Sequence, residues 1–381
     1  MGIVHFSRYE WVPSPTGNSK IDRRYQADIA ISLARVILVN GLASIANNRY
    51  GSYESLRLEA QLLATMLTNS HAQGHGALRR ARAFDCSSLH LQSFAITSAG
   101  LGLLTASIES LLIQGKLRPF QITQFDLLPA STRRGSGKKN ERPDLLINLP
   151  NNRIMVGEAK GRRRGSTKVT KAKISTLDKL YRWASTSPYK GCPLLMSWAS
   201  ILEKKTIVDL FHTPPNIDVD PYREEEIIRE EDRHPSRPQL GEQPPYRFPP
   251  LPITPLDWDD LLDEDDLLND ITVDSSPEMI QDLLFLSAPE LPEPYSSLAN
   301  VPIRGSWVPL ESNPKGRSMF VGVFREEPDE VHKARLRRAY VTSVAENYIA
   351  PLDVAAQGRL VFALAQDAEF STWGALRQAI Q

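Results

Sequence analysis

Cysteine is nearly absent from this 381-residue chain, which has only Cys86 and Cys192. Two thiols this far apart are too few for a disulfide framework and too distant for a metal-binding pair. They exclude a small stapled scaffold and a cysteine-built zinc site, and they point to a reducing, cytoplasmic setting. A secretory leader is not legible either, because the first ten residues have neither a basic start nor an apolar run. The one membrane-like stretch, 27–46, is interrupted by Asp28, Arg35 and Asn40, so a buried helix is expected there.

Charge of one sign is missing from long stretches, although the formal net charge is zero. From 131 to 190 there are 16 Lys and Arg against 4 Asp and Glu. From 218 to 293, 22 acids face 5 arginines and no lysine. A basic body followed by an acidic neighbour suits an anionic ligand at the first and a docking or shielding role for the second.

The length admits two domains, or one with large elaborations. Residues 1–20, with Pro13, Pro15 and Gly17, are expected to be an irregular arm. A helix is expected from Asp22 to about Asn47 and another from Ser52 to Ser70, making 1–92 a helical N-terminal region. His71 and His75 have helical spacing, but the glycines beside them favour a polar loop. A third helix ends at Gln114 and carries Glu109, the only acid between Asp85 and Asp126. A strand over 117–127 follows, and then the basic loop 131–140.

The most informative stretch is 142–160. Leu145 to Leu149 and Arg153 to Ala159 read as two strands joined by a tight turn at Pro150-Asn151-Asn152. A three-residue loop there places Asp144 opposite Glu158, and strand alternation puts Glu158 and Lys160 on one face. Close carboxylates repel unless a cation lies between them, and a hard divalent ion such as Mg²⁺ prefers carboxylate, water and phosphate oxygens. The competing reading is a solvated hairpin whose charges confer solubility alone.

After Lys160 come the basic loop 161–165, a helix over about 167–185 with Leu177 and Leu180 on its apolar face, and a buried strand over 193–198. The order of elements from 93 to 212 is therefore helix, strand, strand, strand, helix, strand. Pro143-Asp144, the spacer and Glu158-Ala159-Lys160, in this order of elements, resemble the PD-(D/E)XK nuclease superfamily over roughly 95–200. The resemblance implies an α+β fold, an α/β sandwich with a restriction-endonuclease-like core whose mixed sheet is flanked by helices. It also implies Mg²⁺, with Mn²⁺ able to substitute. Asp144, Glu158 and the backbone carbonyl of Ala159 become the metal ligands, Lys160 the catalytic cation, and Glu109 the candidate for a further ligand. The position four before Tyr181 is Leu177, so the Gln-xxx-Tyr pattern of some exonuclease-like branches is not present.

The nucleic acid, DNA by expectation, would be gripped by Arg133, Arg134, Lys138, Lys139, Arg162, Arg163, Arg164, Lys168, Lys171 and Lys173. Beyond this core, 213–295 reads as a Pro-rich and acidic linker, and its 257–282 part could dock on a protein partner or on the basic cleft of the same chain. Residues 296–381 read as a small C-terminal α/β region, with a strand at 318–325, a helix at 331–349 and an apolar element at 360–365. The function expected is metal-dependent phosphodiester hydrolysis, in a restriction or anti-phage defence setting. The alternative is a non-cleaving nucleic-acid-binding module of the same fold that recruits a protein partner through its acidic segment.

Overall fold

The computed structural model describes residues 1–13, 19–47, 52–69, 76–114, 121–125, 143–149, 153–165, 168–213, 277–291, 295–298, 300–313, 316–329, 331–333 and 352–380. It is a mixed α+β protein with two large sheets. The seven-stranded sheet has the order β2-β1-β9-β8-β7-β6-β5. Its strands are β1 (Gly2–Val12), β2 (Lys20–Ile31), β5 (Gln121–Gln124), β6 (Leu145–Leu149), β7 (Arg153–Arg162), β8 (Leu194–Ile201) and β9 (Thr206–His212). β5, β6 and β7 form an antiparallel meander, β8 runs parallel to β7, β9 is antiparallel to β8, and β1 lies parallel to β9. Every residue of β8 is buried, as a central strand covered on both faces requires.

Each face of this sheet has its own apolar cover. Val4, Phe6, Leu145, Ile147, Met155, Leu195 and Ala199 pack beneath α1 (Leu33–Asn47), α2 (Tyr53–Met66) and α4 (Leu89–Gln114). The intervening α3 (Arg82–Asp85) is a single turn, and β3 (Leu67–Thr68) and β4 (Arg79–Arg80) form a small ladder beside it. On the other face, Tyr9, Trp11, Leu146, Val156, Met196 and Phe211 meet Leu177, Leu180, Trp183 and Ala184 of α5 (Lys171–Ser185). Thr170 caps α5, its hydroxyl accepting from the Lys173 N–H, and Ser52 caps α2 in the same way through Ser55.

The N-terminal reading needs correction. Residues 2–12 are a strand rather than an irregular arm, and 20–31 continue as its antiparallel partner before any helix begins. Tyr25, Ile29 and Leu33 do recur at helical spacing. However, pairing along the whole of β1 satisfies the backbone of 20–31 and turns Ile29 and Ile31 into the core, a tertiary override of a periodic pattern. The first two strands thus belong to the same sheet as 121–212, and the N-terminal region is not purely helical. The buried helix expected within 27–46 begins only at Leu33, and the helix expected to end at Gln114 is a second membrane-like stretch: Leu89–Leu111 is long and apolar enough to cross a membrane, but 67% of its most apolar window is buried inside the fold.

The second sheet is antiparallel, of order β10-β11-β12-β14-β13, built from β10 (Ser297–Leu298), β11 (Val301–Pro309), β12 (Ser318–Phe324), β13 (Leu352–Gln357) and β14 (Leu360–Ala365). Met319, Val321, Val323 and Phe362 share the apolar cluster of α1 and α2, and Phe320, Val361 and Ala363 pack with Trp373 and Leu376 of α7 (Trp373–Ile380) on the outer face. Asp353 of β13 joins the two sheets: its carboxylate accepts from the Ser32 hydroxyl at 2.6 Å and the Leu33 N–H at 2.8 Å, capping α1. Of the acidic segment, 257–276 lie outside the described residues. Its end enters α6 (Pro277–Ser287), where Ile280 is buried and Asp282 pairs with Arg359 at 2.7 Å. Of the helix expected over 331–349, only 331–333 are described.

Candidate active site

The β6–β7 register is the one a three-residue loop predicts, with Leu149 opposite Arg153 and Leu145 opposite Gly157. One step beyond, the Asp144 N–H donates to the Gly157 carbonyl at 2.9 Å, so Asp144 faces Glu158. The Asp144 Oδ2 accepts from the Ala159 N–H at 2.6 Å, which fixes the carboxylate over the β7 backbone. Along β7, Ile154 and Val156 point into the α5-side cluster. Glu158 and Lys160 continue that row by strand alternation. Glu158 is 9% exposed, and the Lys160 Nζ forms an ion pair with its Oε1.

This arrangement is electrostatically uneven. Burial, then the Asp144 carboxylate, push Glu158 from an ordinary 4.5 up to about 8, while Lys160 pulls the other way. One ammonium does not offset the loss of solvent and a second carboxylate together. The pair therefore has the chemistry of a cation site. Among the described residues no group of three or more His, Cys, Asp or Glu gathers as a metal cluster. A cation here would complete its shell with a backbone carbonyl such as that of Ala159, with water and with phosphate oxygens. That donor set fits Mg²⁺ or Mn²⁺ and does not fit zinc.

Close backbone packing holds β7 beneath α4. A side chain at Gly161 would overlap the Ile96 carbonyl of α4, and one at Gly100 would overlap the Gly161 backbone. Only glycine on both sides lets the helix approach the strand that carries Glu158 and Lys160. Beyond Lys160 on the same face, the Arg162 guanidinium stacks on the Trp198 ring, 4.4 Å from its centroid.

The other expected residues divide. Arg162, Arg164, Lys168 and Lys171 are exposed. Arg163 is half-buried and donates to the Gln92 side chain at 2.6 Å. Arg133, Arg134, Lys138, Lys139, His71 and His75 lie outside the described residues. Lys173 is a correction: it is 1% exposed and pairs with buried Asp209 of β9 at 2.5 Å, so it cannot grip a phosphate on the surface. The helical period held the signal, because 173, 177, 180 and 184 form one stripe and the last three are apolar and buried. Glu109 is a second correction. Arg35 clamps both of its oxygens, at 2.6 and 2.9 Å, so its carboxylate fastens α4 to α1 instead of serving the carboxylate pair.

A feature with no sequence signal adjoins the pair. Asp144 and Ala159 also line a cavity of about 220 Å³ walled by α1, α2 and α4, with Asn40, Glu59 and Phe94 around it. It exists only where three helices distant in sequence meet the end of the hairpin. The chain matches no family model, no curated protein and no solved structure.

Proposed function

We propose that the protein is a metal-dependent nuclease that hydrolyses phosphodiester bonds, DNA by preference, with the α4-β5-β6-β7-α5-β8 unit acting as a restriction-endonuclease-like core of the PD-(D/E)XK kind. The observation that carries this reading is the meeting of Asp144 and Glu158 across the β6–β7 ladder, with the Lys160 ammonium against Glu158. The order and directions of the six elements support it independently.

Asp144 and Glu158 would hold the cation, with the Ala159 carbonyl as a further donor. A bound Mg²⁺ would lower the pKa of water and neutralise charge developing on the scissile phosphate. Lys160, on the same strand face, is placed to orient the attacking water or to donate to a non-bridging phosphate oxygen as it gains charge. Glu158 would hold such a cation only as the carboxylate, since metal ligands must be deprotonated. Exposed Arg162, Arg164, Lys168 and Lys171 would neutralise flanking phosphates, which supplies affinity without sequence preference.

The two free thiols suit a cytoplasmic setting, and the biological role proposed is a restriction or anti-phage defence effector. A nuclease assay in Mg²⁺ or Mn²⁺, comparing the wild type with Asp144→Ala, tests the reading. Cleavage by the wild type and none by the variant is expected. Binding with salt-dependent affinity but no cleavage in either metal favours the alternative, a non-cleaving nucleic-acid-binding module that recruits a partner through 257–282. That second reading draws on the exposed basic residues, which serve both.

A further inference from the structure

The sheet face that carries Glu158 and Lys160 is closed on two sides of the carboxylate pair. Toward the start of β7, Ile154 and Val156 of the same row pack into the cluster that α5 covers. Toward β5, Phe125 stands beside Asp144, since its N–H donates to the Asp144 carbonyl, and its ring lies 5.4 Å from that of Trp183 and 5.8 Å from that of Tyr189. Among the described residues, the row is open only toward the end of β7, where Lys160 and exposed Arg162 follow each other at strand alternation. That open face continues to the β8–β9 turn. Lys160 is opposite Trp198 of β8, and Trp198 is opposite Asp209 of β9. Asp209 bonds to Lys173 of α5 and so shares the face of Lys160, and alternation continues its row to Ile207 and Lys205. Lys205 is four residues along the strands and two strands across from Lys160, roughly 16 Å between Cα atoms.

The turn that carries Lys204 and Lys205, both exposed, is fixed from behind: the Arg80 N–H donates to the Leu202 carbonyl at 3.1 Å and the Arg79 guanidinium to the Glu203 carbonyl at 3.4 Å. In front of it, loop 161–165 lies on the end of β8, so close that a side chain at Gly165 would overlap Ser200. The loop thereby carries exposed Arg164 into the span between β7 and the turn. Arg162 is held in place as well, stacked on Trp198 and donating to the Gly161 carbonyl at 2.9 Å. Glu203 is the only acid of the turn.

We propose that the nucleic-acid strand leaves the Asp144–Glu158 pair on one side only, over Lys160 and Arg162, and that Lys204 and Lys205 hold its backbone at the far end of that path. The inference rests on the nuclease reading and adds the footprint of the substrate: the strand must extend past the scissile phosphate toward the end of β7 and need not extend on the other side. A polyanion follows a line of cations because each neutralised phosphate releases counterions. At a rise of about 3.4 Å per base pair, the path spans at most about five nucleotides, and fewer in a drawn-out single strand.

The test uses the full chain with mixed-sequence oligonucleotides, single-stranded and duplex, labelled at either end. In Mg²⁺ or Mn²⁺, wild-type cuts are expected to stop up to about five nucleotides short of one end and to approach the other more closely. Lys204→Gln with Lys205→Gln should bring that stop nearer the end, whereas Lys179→Gln with Arg182→Gln, exposed on α5 away from the path, should leave it in place. Binding is read in Ca²⁺ by fluorescence anisotropy over a length series at several salt concentrations. The turn variant should lose affinity several-fold for long oligonucleotides and not for the shortest, and its salt slope should fall by roughly one to two. Stops equally far from both ends, a turn variant whose length profile and salt slope match the wild type, or no salt-dependent binding at all overturns the proposal. Hydrolysis in neither metal defeats the nuclease reading instead, and the Ca²⁺ length series then decides the path alone.

Discussion

Glu158→Gln should raise the stability of the metal-free protein at alkaline pH and flatten its dependence on pH. Burial and Asp144 lift the native Glu158 from 4.5 to about 8. Between those values the native state therefore binds more protons at this group than the unfolded state does. Linkage then requires stability to fall as pH rises through that window, with nothing lost below it and the full loss present above it. A displacement of this size corresponds to at most roughly 4–5 kcal/mol. Local relaxation and an effective dielectric well above that of dry protein reduce the expectation to about 1–3 kcal/mol. The assay is urea unfolding of wild type and Glu158→Gln in EDTA at pH 5 and at pH 8.5, with the difference between proteins removing every other titrating group. The gap should be small at pH 5 and open in favour of the variant at pH 8.5. Millimolar Mg²⁺ should narrow it by stabilising the wild type, most at the higher pH, where protons compete least with the cation. Parallel wild-type and variant profiles, or a gap that opens toward acid, would show that the two carboxylates do not share one site.

Asp144→Ala and Lys160→Ala should each abolish cleavage in Mg²⁺ while the far-ultraviolet spectrum and unfolding midpoint stay close to wild type; cleavage retained by both would remove the proposed chemistry. Neutralising Arg162, Arg164, Lys168 and Lys171 together should weaken nucleic-acid binding across sequences and lower the salt slope, by up to roughly one per lost phosphate contact. Lys173→Met should leave that slope unchanged and cost about 3–5 kcal/mol in stability by stranding Asp209, much of it recovered in Lys173→Met with Asp209→Leu. Asp353→Ala should cost about 2 kcal/mol in urea unfolding by removing the acceptor of the Leu33 N–H at the start of α1 and of the buried Ser32 hydroxyl, which keeps only the bond it accepts from the Arg35 N–H.

The parts of the fold legible in sequence were those where local signals agree. Two β-rich runs separated by three residues imply a register, the ladder has that register, and the register brings Asp144 to Glu158. The apolar run 194–201 is buried throughout because it lies in mid-sheet. Local reading failed where partners lie far along the chain. The first hairpin needs β9 beside it before β1 can be recognised as an interior strand. Lys173 looks like one more cation in a basic stretch until Asp209 is known to lie across α5 from it. Glu109, the only acid in its stretch, looks available until α1 brings Arg35 against it. The cavity has no local signature at all, since its walls come from three helices and the hairpin.

The chain outside the six-element unit packs against the element that carries Glu158 and Lys160, and the proposed chemistry would need that support. Such groups work only if held to about half an ångström, and a strand end near a sheet margin does not hold itself. Asp353 fixes the start of α1 from the second sheet. α1 meets α4 without a side chain between them, because one at Gly102 would overlap the Val36 backbone. α4 in turn meets β7 at Gly100 and Gly161, one residue past Lys160. At these two contacts backbone touches backbone, and packed backbone yields far less than a side chain that can change rotamer. The C-terminal sheet is thus connected to the candidate active strand through stiff contacts. Among the described residues, its buried Met319, Val321, Val323 and Phe362 pack into the same apolar cluster as α1 and α2, behind the strand that carries Glu158 and Lys160.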